Sequence, residues 1–152
     1  MMKTAIPLKS KSIIGIVSIE FVLMMSFVFI PTTIGTLEIG RVFYQYNTIT
    51  KSVRDGARYI SLYSTTDPNY ATYQTQAKNL VVYGITAGAV NPLVPGLTTQ
   101  MVSISTASVA SAGSIRLVTV NVAGFNLGYI TNYFAGNNAF NAISATMQQA
   151  TT

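Results

Sequence analysis

The sequence predicts an α+β protein: a long N-terminal helix, a second helix and a small antiparallel sheet or hairpin. Three observations predict it. Residues 16–39 are almost wholly apolar, an apolar stripe at three- and four-residue steps follows them, and the pattern changes to two-residue alternation after Gly96. The chain has 152 residues, enough for one domain beside such a helix.

Composition narrows the chemistry. Charged residues make up 9% of the chain, against about 25% in ordinary soluble domains. There is no histidine and no cysteine, which removes imidazole acid–base chemistry, thiol nucleophiles, thiolate metal sites and disulfides. The acidic residues are Glu20, Glu38, Asp55 and Asp67, too few and too scattered for a carboxylate metal site, so neither metal nor cofactor is expected. Residues 103–114 are rich in hydroxyls but have no neighbouring base to activate one. Residues 84–96 lack the Gly-Lys-Ser/Thr ending of a phosphate loop. The sequence is read as that of a non-enzyme.

The net charge of +5 does not make a nucleic-acid surface. Lys3, Lys9 and Lys11 precede the apolar stretch, Arg41, Lys51, Arg54 and Arg58 follow it, and only Lys78 and Arg116 lie beyond. A phosphate-binding groove would gather its cations on the folded domain.

Four segments follow in order. Residues 1–15 form a basic leader without an acidic residue. Residues 16–39 read as a transmembrane helix: about 25 residues at 1.5 Å each span roughly 37 Å, more than a ~30 Å hydrocarbon core. Pro31 interrupts it, and a bend or partial unwinding is expected over residues 31–35 because proline lacks the amide proton and crowds the preceding turn. Cations flank both ends, so charge counting leaves the orientation open. A cleaved secretory signal would have a shorter core with small residues after it, whereas Thr36-Leu37-Glu38-Ile39 follows here. Residues 40–61 continue as an amphipathic helical stem, with Val42, Tyr46, Ile49, Val53, Ala57 and Ile60 on the apolar stripe. Arg41, Gln45, Lys51, Arg54, Asp55 and Arg58 fall mainly off it.

Residues 62–152 form a small α+β domain. Asp67-Pro68-Asn69 marks a turn, and residues 70–83 a second helix with Tyr73, Ala77, Leu80 and Val81 on one side. Residues 101–106 alternate as a strand, residues 107–113 form a small-residue loop, and Val118, Val120 and Val122 share one face of a strand over residues 115–122. Residues 124–138 are rich in Gly, Asn and Tyr, and residues 139–149 fit either a strand or a helix. A hairpin alone buries no core, so it must pack on the helices. The nine tyrosines read mainly as core cover with wet hydroxyls.

Glu20 is the most informative residue. An ionised carboxylate in hydrocarbon costs a few kcal/mol or more, so it must be protonated, near the headgroups, or paired. The lysines at 3, 9 and 11 are more than two helical turns away. If the chain is cut after Gly15, Ile16 acquires a free amine one turn from Glu20 on the same face.

The string Gly15 | Ile16-Val17-Ser18-Ile19-Glu20-Phe21 resembles the processing site of type IV-like prepilins. With Glu38-Ile39-Gly40-Arg41 and Gly56-Ala57-Arg58-Tyr59 in order behind it, the stretch from 15 to 59 resembles the TadE-like minor pseudopilins of tight-adherence (Tad/Flp) pili. One departure is Ser26, where the family usually has its proline; Pro31 comes five residues later. The resemblance implies a precursor in the bacterial inner membrane, its leader cytoplasmic and its C-terminal domain periplasmic. Prepilin peptidase would cut after Gly15, and the mature chain would act in pilus assembly. Its partners would be a second minor pseudopilin, the major pilin and the inner-membrane platform, besides membrane lipid. Glu20 and Phe21 would then serve amine neutralisation and docking. Glu38 with Arg41 reads either as an i,i+3 helix pair worth a few tenths of a kcal/mol or as a contact to another subunit, and Gly56 with Arg58 divides the same way. The alternative function is an unprocessed, membrane-anchored envelope adhesin or scaffold.

Overall fold

In a computed structural model the described residues are 11–109, 115–126 and 141–149. They contain helix α1 (Lys11–Ser61), helix α2 (Tyr70–Tyr83) and a short 3-10 turn (Thr99–Met101). Three strands follow: β1 (Val102–Val109), β2 (Ile115–Val122) and β3 (Ile143–Gln148). Residues 1–10 of the expected leader, residues 110–114 and most of the Gly/Asn/Tyr-rich stretch lie outside the described residues. Two compact units are present, Met1–Gly40 and Arg41–Thr152.

In the first unit α1 is helical without interruption through Pro31. The partial unwinding expected over residues 31–35 does not occur. The hydroxyls here are absorbed locally: Thr32 Oγ1 donates to the Val28 carbonyl at 2.7 Å, Thr33 Oγ1 to Phe29 at 2.7 Å and Thr36 Oγ1 to Thr32 at 2.9 Å. Such bonds to the preceding turn satisfy a hydroxyl without breaking the helix, as an apolar surrounding requires. Among the described residues this is the one helix long and apolar enough to cross a membrane, and its most apolar 18-residue window, of mean hydropathy 1.9, is 0% buried.

The second unit holds the core. Ile49, Val53, Ala57 and Ile60 of α1 are buried, as are Ala77, Val81 and Val82 of α2. The stem is therefore part of this unit's core rather than a spacer before it. Two stem positions differ from the sequence reading. Gln45 is buried, and Tyr46 on the expected stripe is 40% exposed. Gln45 lies one turn before Ile49 and two before Ser52, also buried, so it shares their face. Ser52 satisfies its hydroxyl on the Ile49 carbonyl at 3.0 Å.

Helix α2 begins where the turn signals place it. Asp67 Oδ1 accepts the Asn69 amide at 2.8 Å, an Asx turn that sets the chain into the helix. The helix ends at Gly84, whose φ of 76° closes the last turn with its amide on the Leu80 carbonyl at 2.9 Å; glycine takes this left-handed conformation without strain.

The sheet has the order β1-β2-β3 and is antiparallel throughout. Val118, Val120 and Val122 are buried, as the alternation predicts. Register places Ile104 opposite Val120 and Val102 opposite Val122 on one side, and Met147, Ala145 and Ile143 opposite the three valines on the other. The other face is polar: Ser103, Ser105, Ser144 and Thr146 are exposed, and Thr119 and Thr146, directly paired, share a hydroxyl hydrogen bond of 2.8 Å. Strand β1 runs three residues beyond the expected 101–106, because pairing with β2 continues to Val109↔Ile115. The ambiguous ending resolves as strand β3.

Candidate processing and docking site

The candidate site lies along a single helix, α1, and its residues have different surroundings. Gly15, Ile16, Glu20 and Phe21 stand on the exposed first turns of α1, with Ile16 66% and Phe21 60% exposed. A Cβ added at Gly15 would meet nothing within 4 Å, so no packing among the described residues demands a glycine there. Glu20 is four residues from Ile16, one turn along the same helix face, about 6 Å of axial rise. The same openness holds at Gly40 of Glu38-Ile39-Gly40-Arg41. Glu38 itself is buried, 3% exposed, while Arg41 is half-buried.

Gly56-Ala57-Arg58-Tyr59 is different, because three of its four residues are used inside the second unit. A Cβ on Gly56 would overlap the Val81 side chain, with the Ala77 carbonyl oxygen 3.4 Å away. Gly56 is thus a point of close approach between α1 and α2. Ala57 is buried in the core. The Tyr59 hydroxyl donates to Gln76 Oε1 at 2.6 Å, tying α1 to α2. Arg58 is exposed.

Around Tyr59 three phenols gather. Its ring lies 5.3 Å from that of Tyr63 at 57°, and Tyr63 stacks on Tyr73 at 3.7 Å and 13°. Burial, then the hydrogen bond and charge of Tyr63 and the charge of Tyr73, raise the Tyr59 phenol from 10.0 to about 12. Burial also raises the Tyr70 phenol. The folded state therefore holds the Tyr59 proton more tightly than the unfolded chain does. That stability is fully present below pH 10.0 and is lost as pH rises towards about 12. Alkaline titration followed by phenolate absorbance and circular dichroism should show unfolding in this window, and Tyr59→Phe should flatten the pH dependence there. An unchanged alkaline profile in Tyr59→Phe would rule out the link.

Sequence reading missed two tethers that involve the end of β3. The Gln149 amide nitrogen donates to the Arg116 carbonyl at 2.8 Å, and Gln149 Nε2 donates to the Tyr63 carbonyl. The Arg116 guanidinium in turn donates to Thr65 Oγ1. No sequence signal marks a glutamine near the end of a strand as buried. Among the described residues no group of three or more His, Cys, Asp or Glu side chains could hold a metal ion.

Comparison with known proteins picks out the N-terminal part alone. No curated protein and no solved structure is detectably similar to the chain. The model of one family, described as TadE-like protein, matches residues 15–58. That stretch opens on Gly15, contains Glu20, Glu38 and Arg41, and closes on the Gly56-Ala57-Arg58 contact with α2. Over this N-terminal segment, and there alone, the chain is similar to the TadE-like proteins.

Proposed function

We propose that the protein is a minor pseudopilin, cut after Gly15 by prepilin peptidase and acting without catalysis of its own in the assembly of Tad/Flp-type adhesive pili. The TadE-like match points to Tad pilus systems, and the carrying observation is that it begins at Gly15, a glycine that the fold leaves unexplained. The apolar, unburied helix that follows suits a single-pass anchor in a pilus system. In this reading the anchor sits in the inner membrane with the second unit in the periplasm.

Cleavage places a new ammonium on Ile16, one turn from Glu20. The pair neutralises itself within one chain, or docks a neighbouring subunit when Glu20 meets that neighbour's amine. A buried ion pair contributes more to register than to net stability, because desolvation offsets much of its attraction. Phe21 and the exposed Arg58 contact other subunits, and Pro31 bends the span.

The test is the intact mass of the membrane-extracted protein from cells with active prepilin peptidase. Loss of residues 1–15, with Ile16 as the new N-terminus, is expected. Retention of the leader would overturn the reading in favour of an unprocessed envelope adhesin or scaffold.

A further inference from the structure

The sheet order β1-β2-β3 leaves β1 with one unpaired edge. The register says which backbone groups line it. The Ala123 amide donates to the Met101 carbonyl at 3.0 Å, and antiparallel partners alternate between hydrogen-bonded and non-bonded pairs. Ser103, Ser105 and Ala107 therefore bond to β2, while Val102, Ile104, Thr106 and Ser108 turn their N–H and C=O groups outward. The Thr99 carbonyl takes the Val102 amide. Among the described residues nothing pairs with the outward groups of Ile104, Thr106 and Ser108, and residues 105–108 are exposed.

Proteins ordinarily guard such an edge with a lysine, a proline, a bulge or a very short strand. Strand β1 has none of these. It is eight residues long, VSISTASV, against about 5–6 in a common strand, and it pairs with β2 residue for residue. From residue 79 to residue 115 the chain carries no charge at all. The opposite edge is less open: Ile143 and Ser144, which begin β3, border a depression with Val42, Phe43 and Arg54 of α1.

Charge and register identify the occupant. The second unit carries Arg41, Lys51, Arg54, Arg58, Lys78 and Arg116 against Asp55 and Asp67, so two copies repel wherever their cations meet. The outer edge of β1 is where they meet without charge. We infer that β1 is a strand-addition surface for a second copy of this chain, joining two three-stranded sheets into one. The strands pair antiparallel about a two-fold axis at Ser105. This register sets Ser105 opposite itself, Ile104 opposite Thr106, Ser103 opposite Ala107 and Val102 opposite Ser108. Outward groups then face outward groups, as the ladder requires. The half-buried Ile104 gains the Thr106 methyl as cover, twice, because a two-fold contact repeats every pairing. Serine hydroxyls meet on the polar face, as those of Thr119 and Thr146 do inside the sheet. The inference concerns the second unit alone and does not depend on cleavage after Gly15.

One strand edge is small beside the ~1,200 Å² of a stable interface, so the readout is cross-linking, which traps weak pairs. The chain contains no cysteine, and single cysteines report cleanly. Ser105→Cys, Ser103→Cys, Ala107→Cys and Thr146→Cys are made in the full chain, purified in detergent and oxidised with copper phenanthroline. Opposed non-bonded residues lie about 4.5 Å apart at Cα, within disulfide reach. Expected are a disulfide dimer from Ser105→Cys, little from Ser103→Cys or Ala107→Cys alone, and a mixed dimer when those two are combined. Thr106→Pro removes an outward N–H and spares the bonds to β2. Added to Ser105→Cys, it should abolish the dimer at unchanged melting temperature. Dimers from Ser103→Cys alone, or from Thr146→Cys on β3, as abundant as those from Ser105→Cys would mark random collision and overturn the inference. A Ser105→Cys dimer that survives Thr106→Pro in folded protein would overturn it too. Absence of both the Ser105→Cys dimer and the mixed dimer would overturn it outright, and cross-links from Ser105→Cys to a different protein alone would do so in favour of another strand.

Discussion

Glu20→Ala is expected to abolish incorporation into the pilus and co-purification with other pilus subunits, while cleavage after Gly15 continues. The two readouts separate because the substitution acts on different physics at each step. Cleavage needs Gly15 presented on an accessible helix, and a Cβ there would already have open space. In the proposed function, docking pairs this carboxylate with an amine. Removing the carboxylate makes the helix easier to insert, since an acidic residue inside a span is costly, although less so near its end, where Glu20 lies, than at its centre. The variant should therefore reach the membrane at least as well as the parent, and lost assembly cannot be blamed on failed insertion. Glu20→Gln, which keeps shape and loses charge, should fail like alanine; Glu20→Asp should retain part of the function. Immunoblots of sheared pili and of membrane pull-downs measure both. Normal filaments from Glu20→Ala would remove the electrostatic role altogether.

The second large effect is on stability. Gly56→Ala should destabilise the second unit by about 1–2 kcal/mol net. Overpacking a well-filled contact costs roughly 1–3 kcal/mol, offset by up to ~1 kcal/mol of helix propensity gained on losing glycine. Val81 cannot yield cheaply: it is fully buried and, being β-branched, stiff at χ1. The added Cβ would also lie 3.4 Å from the Ala77 carbonyl oxygen. Gly56→Leu should prevent the two helices from packing and leave little folded protein. Gly40→Ala is the matched control, because its Cβ meets nothing; its melting temperature should stay or rise. Thermal unfolding of the full chain in detergent, followed by circular dichroism, decides the matter. Equal melting temperatures for Gly56→Ala and Gly40→Ala would show that the close approach carries no energy.

These two experiments divide a motif set that looks uniform in sequence. Gly15, Gly40 and Gly56 are equally plain as letters. Only the packing of α2 on α1 distinguishes the glycine required by the fold from the two whose added Cβ meets nothing among the described residues. Glu38 and Arg41 divide similarly: three residues apart on one helix, one is buried and the other half-buried.

Elements with local causes are legible in the amino-acid sequence itself. Helix α2 and its limits follow from Asp67-Pro68-Asn69 and Gly84, and β2 follows from the run of alternating valines, because turn chemistry and period are properties of a few adjacent residues. The apolar helix and the solitary Glu20 are equally plain, since hydropathy needs no partner to be read. Strand β3 is not, because six residues with a weak alternation become a strand only once β2 offers its free edge. The burial of Gln45 and Gln149, the overlap waiting at Gly56 and the unpaired edge of β1 likewise depend on segments far apart in sequence. Composition and periodicity settle what each segment prefers locally; which neighbour covers it, and which apolar surface remains uncovered, is decided only when distant segments compete for the same volume.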